Sequence, residues 1–324
     1  MNAAELASLP VQAEQQSMSA PQPTLEPTIC ASALKRRLET WKFRSVAPLR
    51  VSSEAKEDVV DAPLCFDADF ESGSLGPVTV LGESEYEVQL LSDANGGYVQ
   101  WFCFRVRQMK VGMPYTFHLT NLIKPGSLFE EGCQPVLFSK RRMEECGIAW
   151  SREGADVAYY PCGFVGSRKF YRVSFDICFP FEEDECFLAY SIPYTYTDLL
   201  RDLQPWPWES LATTMTGNQV PVLRLGNEQS LQRACIVARA HPGETHASWV
   251  MRGVLDFLAS DEVFLRQARG CLSQLAWLIV PMLNVDGVAA GRTRTNLDSV
   301  DLNRHHHDDA APETKGLRSA LQAR

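Results

Sequence analysis

The stretch Ala234-Cys235-Ile236-Val237-Ala238-Arg239-Ala240-His241-Pro242-Gly243-Glu244 decides how this chain is read. Ala234 to Arg239 is a short apolar run of strand length, and His241-Pro242-Gly243-Glu244 follows it at once. Ala247 to Leu258 then reads as a helix, with Trp249, Met251, Val254, Leu255 and Leu258 along its apolar side. A second apolar run, Leu275 to Met282, ends at Asn284-Val285-Asp286-Gly287. Strand, loop, helix, strand predicts a parallel α/β sheet. In such sheets the chemistry gathers at the carboxyl ends of the strands, where both polar motifs sit.

Upstream the character differs. From about Cys65 to Leu188 the chain runs in short segments of alternating polarity, among them Val78 to Leu81, Tyr86 to Leu90, Tyr98 to Val106, Tyr115 to Leu119, Tyr171 to Phe179 and Cys186 to Ile192. Ser72-Gly73, Asp93 to Gly97 and Lys124-Pro125-Gly126 supply turn signals between them. Closely spaced strands with Gly/Asn turns predict an antiparallel sandwich. The expected organisation is a disordered tail with one short helix (Ala31 to Arg44) over 1–64, a β-sandwich domain over 65–200 and the first part of an α/β domain over 201–324.

Bulk properties narrow the function. The 324 residues carry a net charge of -9, and from Arg201 onward 13 basic residues balance 13 acidic ones, so the acidity lies in the first 200 residues. That balance argues against nucleic acid as a partner. No apolar run approaches the roughly 20 residues of a membrane span, and the first thirty residues do not read as a signal peptide. The ten cysteines show no Cys-x-x-Cys pair and several lie in apolar runs, such as Cys103 and Cys178. Those in apolar runs read as small buried hydrophobes, and the set as reduced thiols of a cytosolic protein.

His241 and Glu244 form an H-x-x-E pair directly after a strand. An imidazole and a carboxylate three residues apart at a loop-to-helix junction can meet on one metal ion, and two histidines with a glutamate are a ligand set of catalytic zinc. The simpler alternative is that Glu244 merely opens the following helix, where a carboxylate is favourable.

Three motifs in order, His241-Pro242-Gly243-Glu244, Pro281 to Val288 and Asp301-Leu302-Asn303-Arg304, resemble the M14 metallocarboxypeptidases, specifically the cytosolic carboxypeptidases that trim tubulin tails. Phe70 to Leu75, Gln100-Trp101-Phe102, Asn121 to Lys124 and Tyr194 to Leu199 are similar to that subfamily's N-terminal β-sandwich, so the likeness spans about residues 65–318. The resemblance implies a fold: an antiparallel β-sandwich followed by an incomplete M14 α/β/α domain. It also implies Zn2+ as cofactor, with His241 and Glu244 as ligands. Asn303 and Arg304 would grip the substrate's terminal carboxylate, for which a guanidinium fork is suited. Arg294 would face the developing oxyanion, although its setting Gly291-Arg292-Thr293-Arg294-Thr295-Asn296-Leu297 departs from the usual Gly-Asn-Tyr-Arg-Cys-Ser-Leu, and Val285 replaces a customary proline.

The implied activity is removal of C-terminal residues, glutamate by the subfamily's habit, from acidic protein tails such as those of tubulin, in the cytosol and at microtubules. Such an enzyme needs a third ligand, a histidine well downstream, and a later glutamate as general base. The six histidines are His118, His241, His246, His305, His306 and His307. Only the last three could improvise a ligand, and the plainer reading of them is a solvated loop. On this reading the chain is truncated and inactive as it stands. Two rivals remain: a non-catalytic protein that binds tubulin tails, and a related zinc amidohydrolase of the deacylase type.

Overall fold

A computed structural model describes residues 63–94, 97–259, 270 and 274–323. The expected tail and the helix over Ala31 to Arg44 lie outside them. The first part of the fold is two facing five-stranded sheets. One runs in the order β1 (Cys65–Asp67), β4 (Cys103–Arg107), β10 (Cys186–Ala189), β6 (Val136–Ser139) and β7 (Trp150–Arg152), with every neighbour antiparallel. The other runs β2 (Val78–Val80), β3 (Glu85–Gln89), β5 (Pro114–Leu122), β9 (Arg168–Cys178) and β8 (Ala155–Val165). Here β3 and β5 pair in parallel, the one departure from the antiparallel expectation. The chain leaves β3 for β4 in the opposite sheet before it returns as β5, and a parallel pair needs such a crossover.

Alternation along β9 explains the layer between the sheets. Tyr171, Val173, Phe175 and Ile177 point inward while Arg172, Ser174 and Asp176 stay wet. Phe117 of β5 is wholly buried, 5.7 Å from the Phe175 ring and 6.0 Å from that of Tyr86. The buried core joins these residues to Phe104, Val106 and Leu188 of the facing sheet. Each such aromatic contributes about 1.5–3 kcal/mol by its burial.

The third sheet has the order β11 (Trp208–Thr213), β12 (Gln219–Gly226), β14 (Ala276–Val280) and β13 (Arg233–Val237). Only β13 and β14 are parallel, in register from Arg233/Ala276 to Val237/Val280; β11 and β12 add antiparallel neighbours, so the sheet is mixed. Between the parallel strands runs α3 (Thr245–Ala259), whose Met251 and Leu255 are buried in the same core as Val222, Ile279 and Val280. Its fellow helices are α1 (Lys140–Cys146), α2 (Tyr196–Asp202), α4 (Val285–Ala289) and α5 (Pro312–Gln322).

Sandwich and α/β part meet through hydrogen bonds between distant segments. The Ser72 backbone N–H donates to Ala289 O (2.9 Å) and its hydroxyl to Val288 O (2.7 Å), while within the sandwich the Trp101 indole donates to Ser72 O (3.0 Å) and holds that turn. Gly291, at φ +65°, comes so close to this turn that a Cβ would lie 2.2 Å from Gly73 O. Only glycine suits both conditions.

Candidate metal centre and its cleft

The two parallel strands end side by side. Ala238 N donates to Val280 O (2.9 Å), Leu283 N to Ala238 O (2.9 Å) and Asn284 N to Arg239 O (3.2 Å). Asn284 is wholly buried: its Oδ1 caps α4 by accepting from Gly287 N (3.0 Å), and its Nδ2 reaches Ala240 O (3.2 Å). At Gly287 a Cβ would lie 2.4 Å from Pro242 Cγ, so the second motif is the floor on which the first one rests. Arg239, buried and in the left-handed region at φ +53°, donates to Pro242 O (2.8 Å), Ser248 Oγ (2.8 Å) and Tyr194 O (3.2 Å). Its guanidinium binds the turn between the two candidate ligands to the first turns of α3.

The turn so held brings His241 Nδ1 to 3.0 Å from Glu244 Oε1, and His241 Nε2 to 3.0 Å from Asp301 Oδ1. His241 is buried, whereas the Glu244 side chain is half exposed. Two donors 3.0 Å apart can both touch one ion at about 2.0–2.2 Å, as zinc requires. The far nitrogen resting on a carboxylate is the arrangement that orients a metal-bound histidine. The donor chemistry therefore fits two protein ligands of a zinc ion. Among the described residues, no group of three His, Cys, Asp or Glu converges as a metal site.

Asp301 is the member of this cluster that the motif reading quoted and left without a role. Its other oxygen accepts from Arg294 Nε at 2.6 Å. Burial alone would raise the Asp301 carboxyl; the hydrogen bonds and charges of Arg294 and His241 outweigh it and hold the carboxyl below its ordinary value. The Arg294 guanidinium also lies over the Tyr98 ring, 5.2 Å from its centroid. One connected set thus runs Arg294, Asp301, His241, Glu244. A histidine that needs a carboxylate partner is the signal that could have found it.

Asn303 and Arg304 follow Asp301 directly. The Asn303 backbone N–H donates to Asp301 Oδ1 (3.0 Å) and that of Arg304 to Asp301 O (2.9 Å). Both side chains are exposed, and Arg304 Nη1 turns back to Asn303 O (3.0 Å). His305 pairs with Asp308 (2.9 Å) and His306 with Leu302 O (3.2 Å), and neither joins the His241–Glu244 pair in a three-ligand group.

His241, Glu244 and Arg294 line a cleft of about 760 Å³ whose opposite wall belongs to the sandwich. That wall presents Gln100, Lys124, Arg152, Tyr159 and Tyr190. Lys124 Nζ donates to Gln100 Oε1 (2.7 Å), and Arg152 leans on Gln134 O and, at 3.2 Å, on Cys133 Sγ. Sequence spacing could not bring these basic residues to the site, since they come from loops and strands of another sheet. The volume suits a small ligand or the end of a chain.

Residues 202–322 match the family profile described as zinc carboxypeptidase, and residues 66–152 match that of the cytosolic carboxypeptidase N-terminal domain. Cytosolic carboxypeptidase 2 of Xenopus tropicalis is 37% identical over 281 residues, covering 80% of this chain and 29% of that protein. Cytosolic carboxypeptidase 4 of Mus musculus is 36% identical over 275 residues, 74% of this chain and 24% of its own length. The chain therefore spans less than a third of these curated relatives. Among solved structures, a metallo-carboxypeptidase from Burkholderia cenocepacia superposes with a TM-score of 0.64 at 25% identity, over 80% of this chain and 67% of that one.

Proposed function

This chain belongs to the M14 zinc carboxypeptidases, in the cytosolic carboxypeptidase branch, and from that premise we propose that it serves hydrolysis of the C-terminal peptide bond of protein tails. The observation that carries the reading is the convergence of His241 Nδ1 and Glu244 Oε1 at 3.0 Å in a cleft that Arg294 shares. When bound there, zinc would activate water and polarise the scissile carbonyl. Asp301 holds the imidazole with Nδ1 turned to the cleft. Arg294 offers its terminal nitrogens, which make no hydrogen bond among the described residues, to negative charge developing on that carbonyl. Asn303 and Arg304 would take the terminal carboxylate, Arg304 by turning away from Asn303 O.

The finer reading is glutamate removal from acidic tails such as those of tubulin, in the cytosol and on microtubules. Lys124 and Arg152 support it, because with Arg294 they set three cations in the cleft against Glu130, Glu131 and the candidate ligand Glu244, and any of the three can pair an acidic side chain. No helix among the described residues is long and apolar enough to cross a membrane. A second reading, binding of tails without turnover, is favoured by the two converging ligands where catalytic zinc takes three. The proposed domain limits are a sandwich over 65–200 and the carboxypeptidase part from 201 onward.

Metal analysis of the purified chain, beside hydrolysis of peptides ending in glutamate, decides among these. One zinc per chain, lost in His241→Ala, with release of terminal glutamate, is the expected result. Zinc or tail binding without release selects the second reading. Hydrolysis of N-acyl amino acids with none of peptides would select a deacylase, and no zinc at all would sink the metal centre.

A further inference from the structure

Asp93 lies in the sandwich, on the connection after β3, and no step of the proposed chemistry uses it. It is 1% exposed. Its carboxylate accepts three successive backbone N–H groups of the segment that carries Arg294: Thr293 N to Oδ1 at 2.8 Å, Arg294 N to Oδ2 at 2.8 Å and Thr295 N to Oδ2 at 2.7 Å. The Thr295 hydroxyl adds a fourth bond at 3.1 Å. The junction is reciprocal, for Thr293 Oγ1 accepts from Gln100 N and Trp101 N, both at 3.1 Å. A further bond, Thr293 O accepting from Gly243 N at 2.9 Å, ties the same segment to the turn between His241 and Glu244.

Backbone N–H groups converging on a buried carboxylate are short, charge-assisted bonds and stronger than neutral ones. They fix a segment with no regular secondary structure, in a stretch where the sequence departs from its family's usual residues. We propose that Asp93 is a positioning residue: a carboxylate supplied by the sandwich that sets the place of Arg294 and, through Asp301, the orientation of His241. The sandwich is thereby part of the site's construction as well as one wall of its cleft. What this means for catalysis rests on the carboxypeptidase reading; the placement itself does not.

Asp93→Asn keeps the shape and removes the fit. Both oxygens already accept N–H groups, so whichever way the amide lies, a donor faces a donor. The test is phenylglyoxal labelling of the intact chain, mapped by mass spectrometry. Arg294 reports the segment, and Arg105, paired with Asp67 at 2.8 Å, reports the sandwich fold. In Asp93→Asn, labelling of Arg294 should rise about tenfold while that of Arg105 is unchanged. Thr293→Val, which breaks the junction from the other side, should raise it about threefold. Zinc affinity of Asp93→Asn should fall about tenfold.

Arg294 protection equal to that of the unsubstituted chain would overturn the proposal. Labelling that rises equally at Arg105 and Arg294 would overturn it too, by showing that Asp93 holds the whole fold and not this segment. If the unsubstituted chain binds no zinc, the carboxypeptidase reading fails, and the labelling still decides the role of Asp93.

Discussion

Asp301 accepts from two side chains at once, the Arg294 guanidinium and the His241 imidazole, and single-residue effects at this site should be read from it. Asp301→Asn leaves either His241 or Arg294 facing an amide, so zinc affinity should drop about tenfold to a hundredfold, measured against a chelating dye. An unchanged affinity would remove Asp301 from the site. Arg239 works by burial and geometry: burial brings its guanidinium down to about 9, against the charges of Tyr194 and Glu244, and it stays protonated at neutral pH. Glu313 offers a pH test away from the cleft. It is 2% exposed in the first turn of α5; burial raises its carboxyl, Asp286 and Asp298 add to that, and a hydrogen bond from Asn296 only partly offsets it. The folded state therefore holds the proton more tightly than the unfolded chain, so stability falls as pH climbs above the unfolded value of about 4.3. Glu313→Gln should be more stable than the natural chain at pH 7, and the gain should vanish below about pH 4. Urea titrations at several pH values would show it, and a gain that does not change with pH would refute the assignment.

Elements that alternate strongly or carry a clear apolar side were legible; those held by contacts from elsewhere were not. The strand before His241, the helix after Glu244 and the strand before Pro281 came out within a few residues of β13, α3 and β14. β5 and β9 were visible because their inward positions are apolar and their outward ones polar. β6, β7 and β8 were not singled out; β6 is buried at all four positions and so shows no alternation. β11 and β12 were missed as well, and with them the mixed character of the third sheet. At this scale the contact between the turn at Ser72 and the loop after α4 is a sensitive one. Gly291→Ala forces a side chain into a left-handed φ and against Gly73 O, so it should destabilise by about 2–4 kcal/mol. Denaturant unfolding measures this, and a loss under about 0.5 kcal/mol would mean the two backbones part without strain.

For the whole molecule the consequence is cooperativity. Ser72, Asp93, Gln100 and Trp101 tie the sandwich to segments about 190–220 residues away, through backbone and buried side-chain bonds. We expect β9 of the sandwich and β14 of the α/β part to lose hydrogen-exchange protection at the same denaturant concentration, as one cooperative unit. Two separated transitions would mean that these bonds do not couple the parts. The eight cysteines among the described residues are all free, so reducing agent should leave that transition in place.

The sequence by itself determined the β-rich first part and the strand-loop-helix-strand unit, and it singled out His241 and Glu244 as a pair of candidate ligands. Each of these rests on local signals: alternation, helical spacing and a pair of ligand types three residues apart. Only the tertiary structure decided that Asp301 backs His241, that Asp93 holds the segment of Arg294, and that Lys124 and Arg152 face the same cleft. It also left Arg304 exposed against its own neighbour's carbonyl, which no spacing foretold. The physical reason is distance along the chain. A periodicity reports which face of an element meets a core, but a buried carboxylate chooses partners about 200 residues away, and nothing local records that choice.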